Sequence, residues 1–349
     1  MKTRWIRHFL LGLVGALVIA LGVSIFTATT AATRFYYSIT DLGTLGGSES
    51  YAMSINDMGQ IVGASQTSNG DSQAFLWQGG AMTDIGTAAG YNNSIAIDIN
   101  NAGQVLGGTT SQAPVLVSSP FLWSNDTITT LPDPEFCLAS GINDAEQIVG
   151  LCIIVGTNYA SAVFLPGGSI ILDLPSSAYD INNSGQVVGA FNPEIIDVNT
   201  NNDYEAFLWQ DGTATELGTL GGTNSEAYAV NDVGQVVGKA QNTTGDFHAF
   251  FWDGAMQDLG TLANYTSSVA YGINNKGRVV GTATNSSGSS HAFVRLNNGM
   301  RDLNNLIPAN SGWELIEARD INNNGRIVGY GTVNGENHAF VLTPTWVTR

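Results

Sequence analysis

The sequence predicts an all-β chain folded as a seven-bladed β-propeller of four-stranded antiparallel blades, and three observations carry that prediction. First, the pattern Ile-Asn-(Asp/Asn)-x-Gly-(Gln/Arg)-(Ile/Val)-Val-Gly recurs seven times with small departures. Its copies begin at Ile55, Ile99, Ile142, Ile181, Val230, Ile273 and Ile321, at intervals of 39 to 49 residues. Second, a segment of the His-Ala-Phe-Leu-Trp type follows each copy, starting at Gln73, Ser119, Ser161, Glu205, His248, His291 and His338. Third, the chain ends are complementary: residues 36–42 are a lone strand with no preceding partners, and the last repeat stops after its third strand. Self-similarity at a period near 44 residues marks a propeller or solenoid. Only a closed ring explains the matched ends.

Each element follows from local chemistry. Segments such as 60–63 (Gln-Ile-Val-Gly) and 249–252 (Ala-Phe-Phe-Trp) are short, β-branched or aromatic, and bounded by Gly, Asn and Asp. The Asn-Asp-x-Gly stretch before the first of them is hairpin chemistry, because Asn and Asp turn the chain and Gly supplies a positive φ. A second tight turn, Gln78-Gly79-Gly80 or Asp211-Gly212, separates the Phe-Leu-Trp strand from an Asp-Leu strand. That last strand opens the motif Asp-Leu-Gly-Thr-Leu-Gly-Gly, clearest at Asp41, Glu216 and Asp258. One repeat thus supplies four antiparallel strands, the content of a propeller blade. Residues 36–42 are expected to become the outer fourth strand of the last blade, which removes the exposed edges of an open array.

Composition excludes other classes. Charged residues are 12% of the 349, glycines number 42, and the formal net charge is −17. So acidic a chain repels a phosphate backbone, so nucleic acid is not an expected partner. With 43% hydrophobic and 9% aromatic residues, the chain can fill a core and is not disordered. The charge is also one-sided. Residues 35–238 hold 21 acidic side chains and no Lys or Arg, whereas residues 239–349 hold 8 of each sign.

The N-terminus has the layout of an export segment. Lys2, Arg4 and Arg7 precede an uncharged run from Phe9 to Phe26, and small residues follow at 28–32. Residues 1–32 are expected to be a signal peptide, or an uncleaved membrane anchor, and residues 35–345 the repeat domain. The expected location is secreted, periplasmic or cell-surface, with membrane contact only through the N-terminal segment.

On these motifs the chain resembles the HAF-type extracellular repeat family, whose His-Ala-Phe signature is literal at 248–250, 291–293 and 338–340. The resemblance covers residues 35–345 and implies export, mainly in prokaryotes, and a propeller. It carries no activity with it. Glu146 in place of Gly, and Val163 in place of Phe, make the third repeat the irregular one.

Candidate chemistry is sparse. Three repeat histidines, His248, His291 and His338, stand where other copies have Gln73, Ser119, Ser161 and Glu205. That pattern suits a hydrogen bond to a neighbouring turn better than a catalytic base. The seven repeat asparagines, Asn56 to Asn322, are read as turn caps. Trp77, Trp123, Trp209 and Trp252 share one repeat position and are read as packing between blades. Trp313 breaks the register and is a candidate for surface recognition of a ligand. Asp197, Asn199, Asn201, Asp203 and Glu205 place side-chain oxygens at alternate positions of one loop, a pattern that suits calcium as a structural ion. A four-residue loop at 143–146 would set Ile142 opposite Gln147 and Cys137 opposite Cys152, placing the cysteines for a disulfide in an exported chain.

No nucleophile elbow, zinc spacing, Walker loop or dinucleotide fingerprint occurs. The expected function is non-enzymatic: an exported module binding a carbohydrate or protein through the face that carries the long, variable connectors. The competing expectation is an extracellular polysaccharide hydrolase or lyase, which needs two carboxylates about 5–10 Å apart across the central funnel.

Overall fold

In the computed structural model, the described residues are 33–88, 90–110, 119–131, 137–153, 159–165, 168–171, 176–191, 203–296 and 299–348. The chain divides into two units, residues 35–346 and residues 1–34 with 347–349. Among the described residues no helix is long and apolar enough to cross a membrane. The expected export segment, residues 1–32, lies outside the described residues.

Among the described residues the strands form seven four-stranded sheets. The expected closure is corrected in two respects. Six blades, not seven, are continuous meanders: blade 1 (46–86), blade 2 (93–130), blade 3 (137–171), blade 4 (176–216), blade 5 (221–258) and blade 6 (267–302). The remaining sheet is composite, with strands Trp313–Ile321, Ile327–Val333 and Glu336–Thr348 completed by Thr33–Asp41 from the other chain end. We call it blade 7. The closing strand therefore spans Thr33–Asp41 and not 36–42. It ends at Asp41 because that carboxylate accepts the Gly43 N–H at 2.8 Å and turns the chain, with Gly43 at φ +75°.

The repeat motifs become one packing unit. In blade 1 the inner strand Gly46–Ile55 pairs with Ile61–Thr67, which pairs with Ser72–Gln78. Gly63 sits mid-strand between Ala52 and Phe75. A Cβ there would collide with the Tyr51 carbonyl and the Phe75 ring, so the motif's last glycine clears space for both. Phe75, Phe121, Phe207, Phe250, Phe293 and Phe340 are all fully buried at this equivalent position. Burying each such ring contributes on the order of 2–3 kcal/mol. The apolar clusters join neighbouring blades: Val62, Ala74 and Ile85 of blade 1 pack with Ala96, Ile99, Val105 and Phe121 of blade 2. Trp77, Trp123, Trp209 and Trp252 are half-buried against such clusters, consistent with packing between blades.

Blade 3 keeps the inner ladder of the other blades and departs from them on its other side. Its Ile142 pairs with Ile148, correcting the expected partner Gln147, because the turn uses five residues. A bulge between Ala139 and Gly141 then shifts the ladder by one, and Cys137 still falls opposite Cys152 in the backbone register. On its other side Gly150 pairs with Ala162, whereas the equivalent Gly63 and Gly107 pair with Phe75 and Phe121. Glu146 occupies the turn position at φ +59° that Gly59 and Gly103 fill elsewhere.

Candidate functional site

The inner strands converge on the propeller axis, and three stacked layers of side chains line it. The first layer is the asparagine turns. Each repeat Asn caps its own turn, as Asn56 does by accepting the Gln60 N–H at 3.0 Å. Its amide also donates to the backbone carbonyl of the equivalent Asn in the next blade. These bonds run from Asn56 to Asn100, on through Asn143, Asn182, Asn231, Asn274 and Asn322, and back to Asn56, at 2.8–3.1 Å. A second closed ring lies one residue on. There each backbone N–H donates to the neighbour's side-chain oxygen, through Asp57, Asn101, Asp144, Asn183, Asp232, Asn275 and Asn323. Turn capping was legible in the sequence; the stitching between blades was not.

The second layer holds three aspartates one residue before the repeat Ile, at Asp98, Asp180 and Asp320. Each accepts a backbone N–H from its own strand and another from a different blade. Asp98 takes Ile99 and Ile142, Asp180 takes Ile181 and Val230, and Asp320 takes Ile321 and Ile55, at 2.7–2.9 Å. Ser54 donates to Asp98 at 2.7 Å and lies 3.2 Å from Asp320. Burial, then mutual repulsion, pushes Asp180 up to about 7. Asp320 rises to about 6 and Asp98 also rises, in both cases chiefly by burial.

The third layer is built by β-bulges. In each of the seven inner strands the register slips at the residue after the same buried alanine: Met53, Ile97, Ser140, Tyr179, Tyr228, Tyr271 and Arg319. A bulge leaves its extra residue unpaired and re-aims the side chain. Six of these, with Ile95, line an axial chamber of about 280 Å³. A polar vestibule of about 270 Å³ lies on the Asn-turn side. The inner strands run from the connector face to the Asn turns, so the chamber is the layer nearer the connectors.

The charged side chains that touch the chamber's tyrosines and Arg319 are paired. Lys239 Nζ lies 3.0 Å from Glu226 Oε1, and Tyr228 donates to Glu226 Oε2 at 2.6 Å. Arg319 pairs with Glu317 and stacks over Tyr271 with 4.6 Å to the ring centroid. The Tyr179–Tyr228 and Tyr228–Tyr271 centroids are 5.4 and 5.7 Å apart, a continuous aromatic arc over three blades. Burial pushes Tyr179 and Tyr271 up to about 12, with nearby Glu226 and Glu317 adding to it, so these phenols stay neutral donors. Burial likewise raises Glu317, against the pull of Arg319.

Sequence reasoning missed this layer, although a signal was present. Three residues before every repeat Ile stands an alanine: Ala52, Ala96, Ala139, Ala178, Ala227, Ala270 and Ala318. The next position varies among Met, Ile, Ser, Tyr and Arg. A fixed small residue beside a free one marks a tight backbone next to a side chain that the fold does not constrain.

The sequence-predicted residues lie elsewhere. Each of the three histidines meets the acidic residue that ends the outer strand of its blade: His248 with Asp258 at 3.0 Å, His291 with Asp302 at 2.8 Å, His338 with Asp41 at 2.9 Å. In blade 4 the same two slots hold Glu205 and Glu216, and burial plus that repulsion raises Glu205. Asp203 is exposed, while Asp197, Asn199 and Asn201 lie outside the described residues. Among the described residues no cluster of three or more His, Cys, Asp or Glu has metal-binding geometry. Trp313 opens the inner strand of blade 7 and is half-buried, 6.1 Å edge-on from Phe340. The side chains of Cys137 and Cys152 lie outside the described set.

A family model described as "Protein of unknown function (DUF3466)" matches residues 68–220, less than half of the chain. No curated protein matches the sequence significantly. Among solved structures, the chain is similar to the β-propeller domain of the Trilobed protease from Pyrococcus furiosus, which has an open velcro topology. The identity is 12% and the TM-score 0.53, over 72% of this chain and 80% of that one. It is also similar to a puromycin-hydrolyzing peptidase of Mycobacterium tuberculosis, at 12% identity and TM-score 0.52, over 90% of this chain and 51% of that one. An acylaminoacyl peptidase of Pyrococcus horikoshii gives 12% and 0.50, over 78% and 48%. The chain thus spans about half the length of those two peptidases. At such identity the likeness establishes the architecture and nothing of the chemistry: the chain is a β-propeller.

Proposed function

We propose that the protein is an exported, non-enzymatic binding module of the HAF repeat type, taking a carbohydrate or protein partner from the connector face. The observation that carries this reading is the bulge layer: seven equivalent backbone sites present a varied side-chain set to the axis within an otherwise uniform frame. A scaffold that holds its backbone constant and varies the residues facing a cavity is organised for recognition. The axial carboxylates support binding over glycosidic-bond hydrolysis. Asp98, Asp180 and Asp320 each hold two backbone N–H groups, and Glu226 and Glu317 are tied to Lys239 and Arg319. A hydrolase needs one carboxyl free to give a proton and another free to attack or to activate water.

The test is retention of the full chain on a panel of insoluble polysaccharides and immobilised envelope proteins, with and without millimolar calcium. Reducing ends and unsaturated products are assayed in parallel. Retention on at least one matrix without product release is expected, and catalytic product release would overturn the reading. Calcium is proposed as a structural ion at Asp197–Glu205. An occupied site there raises the melting temperature at millimolar calcium, because binding to the native state alone must stabilise it.

A further inference from the structure

We infer that the axial chamber seats a single neutral pyranose ring, stacked on the arc of Tyr179, Tyr228 and Tyr271. The inference rests on the binding reading above and specifies its ligand. Size is the first constraint. At about 280 Å³ the chamber lies just below the ~300–1,000 Å³ of pockets that enclose drug-sized ligands, so it admits one ring and not a chain or peptide segment.

Chemistry is the second constraint. Three consecutive blades supply tyrosines, and the blades across the axis supply Met53, Ile95 and Ile97. A pyranose fits between such walls because its C–H faces pack on aromatic rings while its equatorial hydroxyls both donate and accept. Arg319 stands on the same wall and brings guanidinium N–H donors beside those hydroxyls.

Charge is the third constraint, and it separates neutral from ionic ligands. Lys239 Nζ already lies 5.7 Å from the Tyr228 centroid, and Arg319 already stacks on Tyr271. A cationic ligand drawn to these rings would meet two resident cations. An anionic ligand would face Asp98, Asp180 and Asp320 one layer deeper, and would have to break Glu–Lys or Glu–Arg pairs to find a partner. Breaking a half-buried pair leaves an uncompensated charge. A neutral polyol disturbs none of these.

Saturation-transfer NMR and titration calorimetry on the full chain test this, with the methyl glycosides of glucose, galactose and mannose as probes. Methyl glucuronide and choline are the anionic and cationic controls. At least one neutral glycoside should bind with millimolar affinity and show saturation concentrated on its ring C–H protons. Both controls should bind at least tenfold more weakly. Tyr228→Ala should weaken the neutral glycoside at least tenfold. Should that variant fail to fold, Met53→Trp fills the chamber instead and should abolish binding. Failure of every neutral glycoside, tighter binding of either control, or unchanged affinity in a folded variant overturns the inference. Retention on a polysaccharide or protein matrix that persists in Met53→Trp would sink the chamber while leaving the binding reading intact. Absence of retention on every matrix would sink that reading itself.

Discussion

The asparagine turns and the bulge residues stand three positions apart on the same seven strands, yet they obey opposite rules. At the turns the residue never changes, because each Asn amide meets the next blade and the ring closes only if all seven contribute. At the bulges the backbone never changes and the side chain does, from Met53 to Arg319. Cyclic hydrogen bonding demands identity, whereas a cavity wall demands only that the backbone deliver a side chain to it. The contrast separates what holds the ring together from what the ring presents.

The sharpest way to break the contrast is to remove the room that permits the bulge. Gly238 faces Ala227 across the ladder, and a Cβ there would collide with the Glu226 carbonyl and crowd the Ala227 Cα, neither of which can step aside. Gly238→Ala is expected to cost about 4 kcal/mol or more, in the range reserved for severe overpacking. Soluble expression and a thermal melt check this. A native-like melt would mean the bulged strand is free to move.

The ring itself is tested by Asn231→Ala. Its side chain accepts from Gln235 N at 2.9 Å and donates to the Asn274 carbonyl at 3.0 Å, so truncation strands groups on two blades. The expected loss is about 2–4 kcal/mol, about one to two for each of the two buried groups left unpaired. Met53→Ala, three residues before a ring member but on the cavity wall, is expected to cost under about 1 kcal/mol, because the wall already borders a void. Denaturant midpoints compare the two. Equal losses would erase the distinction between frame and wall.

Much of this was legible in the sequence, and the missing part has a definable cause. Period, strand identity, turn chemistry and the complementary ends are local or repetitive, so they showed in residue type alone. The three His–acid pairs were half legible: the slot variation argued against catalysis, but the partner lies on another strand. The axial layers stayed hidden because a bulge is a register event, visible only when two strands are aligned. For that reason residue types alone set Ile142 opposite Gln147, whereas the five-residue turn sets it opposite Ile148 and the bulge restores Cys137 opposite Cys152. The alternation of fixed Ala and free residue, read without a register, did not say which side chains face the axis.

The aspartate layer couples the frame to pH. Asp180 is pushed up to about 7 and Asp320 to about 6, against an ordinary value of 3.8. The native state therefore holds protons that the unfolded chain has released between about pH 4 and 7. Stability linked to these groups is greatest at the acid end of that window and is lost as pH rises through 7. The melting temperature should fall by several degrees between pH 5 and 8 at constant ionic strength. Asp180→Asn, which cannot titrate, should flatten that slope whatever its fixed cost in hydrogen bonding. A slope unchanged in the variant would move the effect to other groups.

The smallest expected effect compares blade 3 with its neighbours. Glu146 holds φ +59° where Gly59, Gly103, Gly185, Gly234, Gly277 and Gly325 hold +67° to +82°. A non-glycine residue in that region carries roughly 1–2 kcal/mol of strain between Cβ and the backbone. Its side chain recovers little, since its acceptor role toward Gln104 Nε2 at 2.8 Å is exposed to solvent. The backbone bond from Glu146 N to Asn143 O at 3.1 Å survives replacement. Glycine loses more chain entropy on folding, about 0.5–1 kcal/mol, so relief of strain is only partly cancelled. Glu146→Gly is therefore expected to stabilise by about 0.5 kcal/mol, a rise of roughly 1 °C in melting temperature for a domain of this size. A fall would mean that the Gln104 contact, which joins blade 2 to blade 3, outweighs the strain. The irregular turn would then be a fastening specific to that junction.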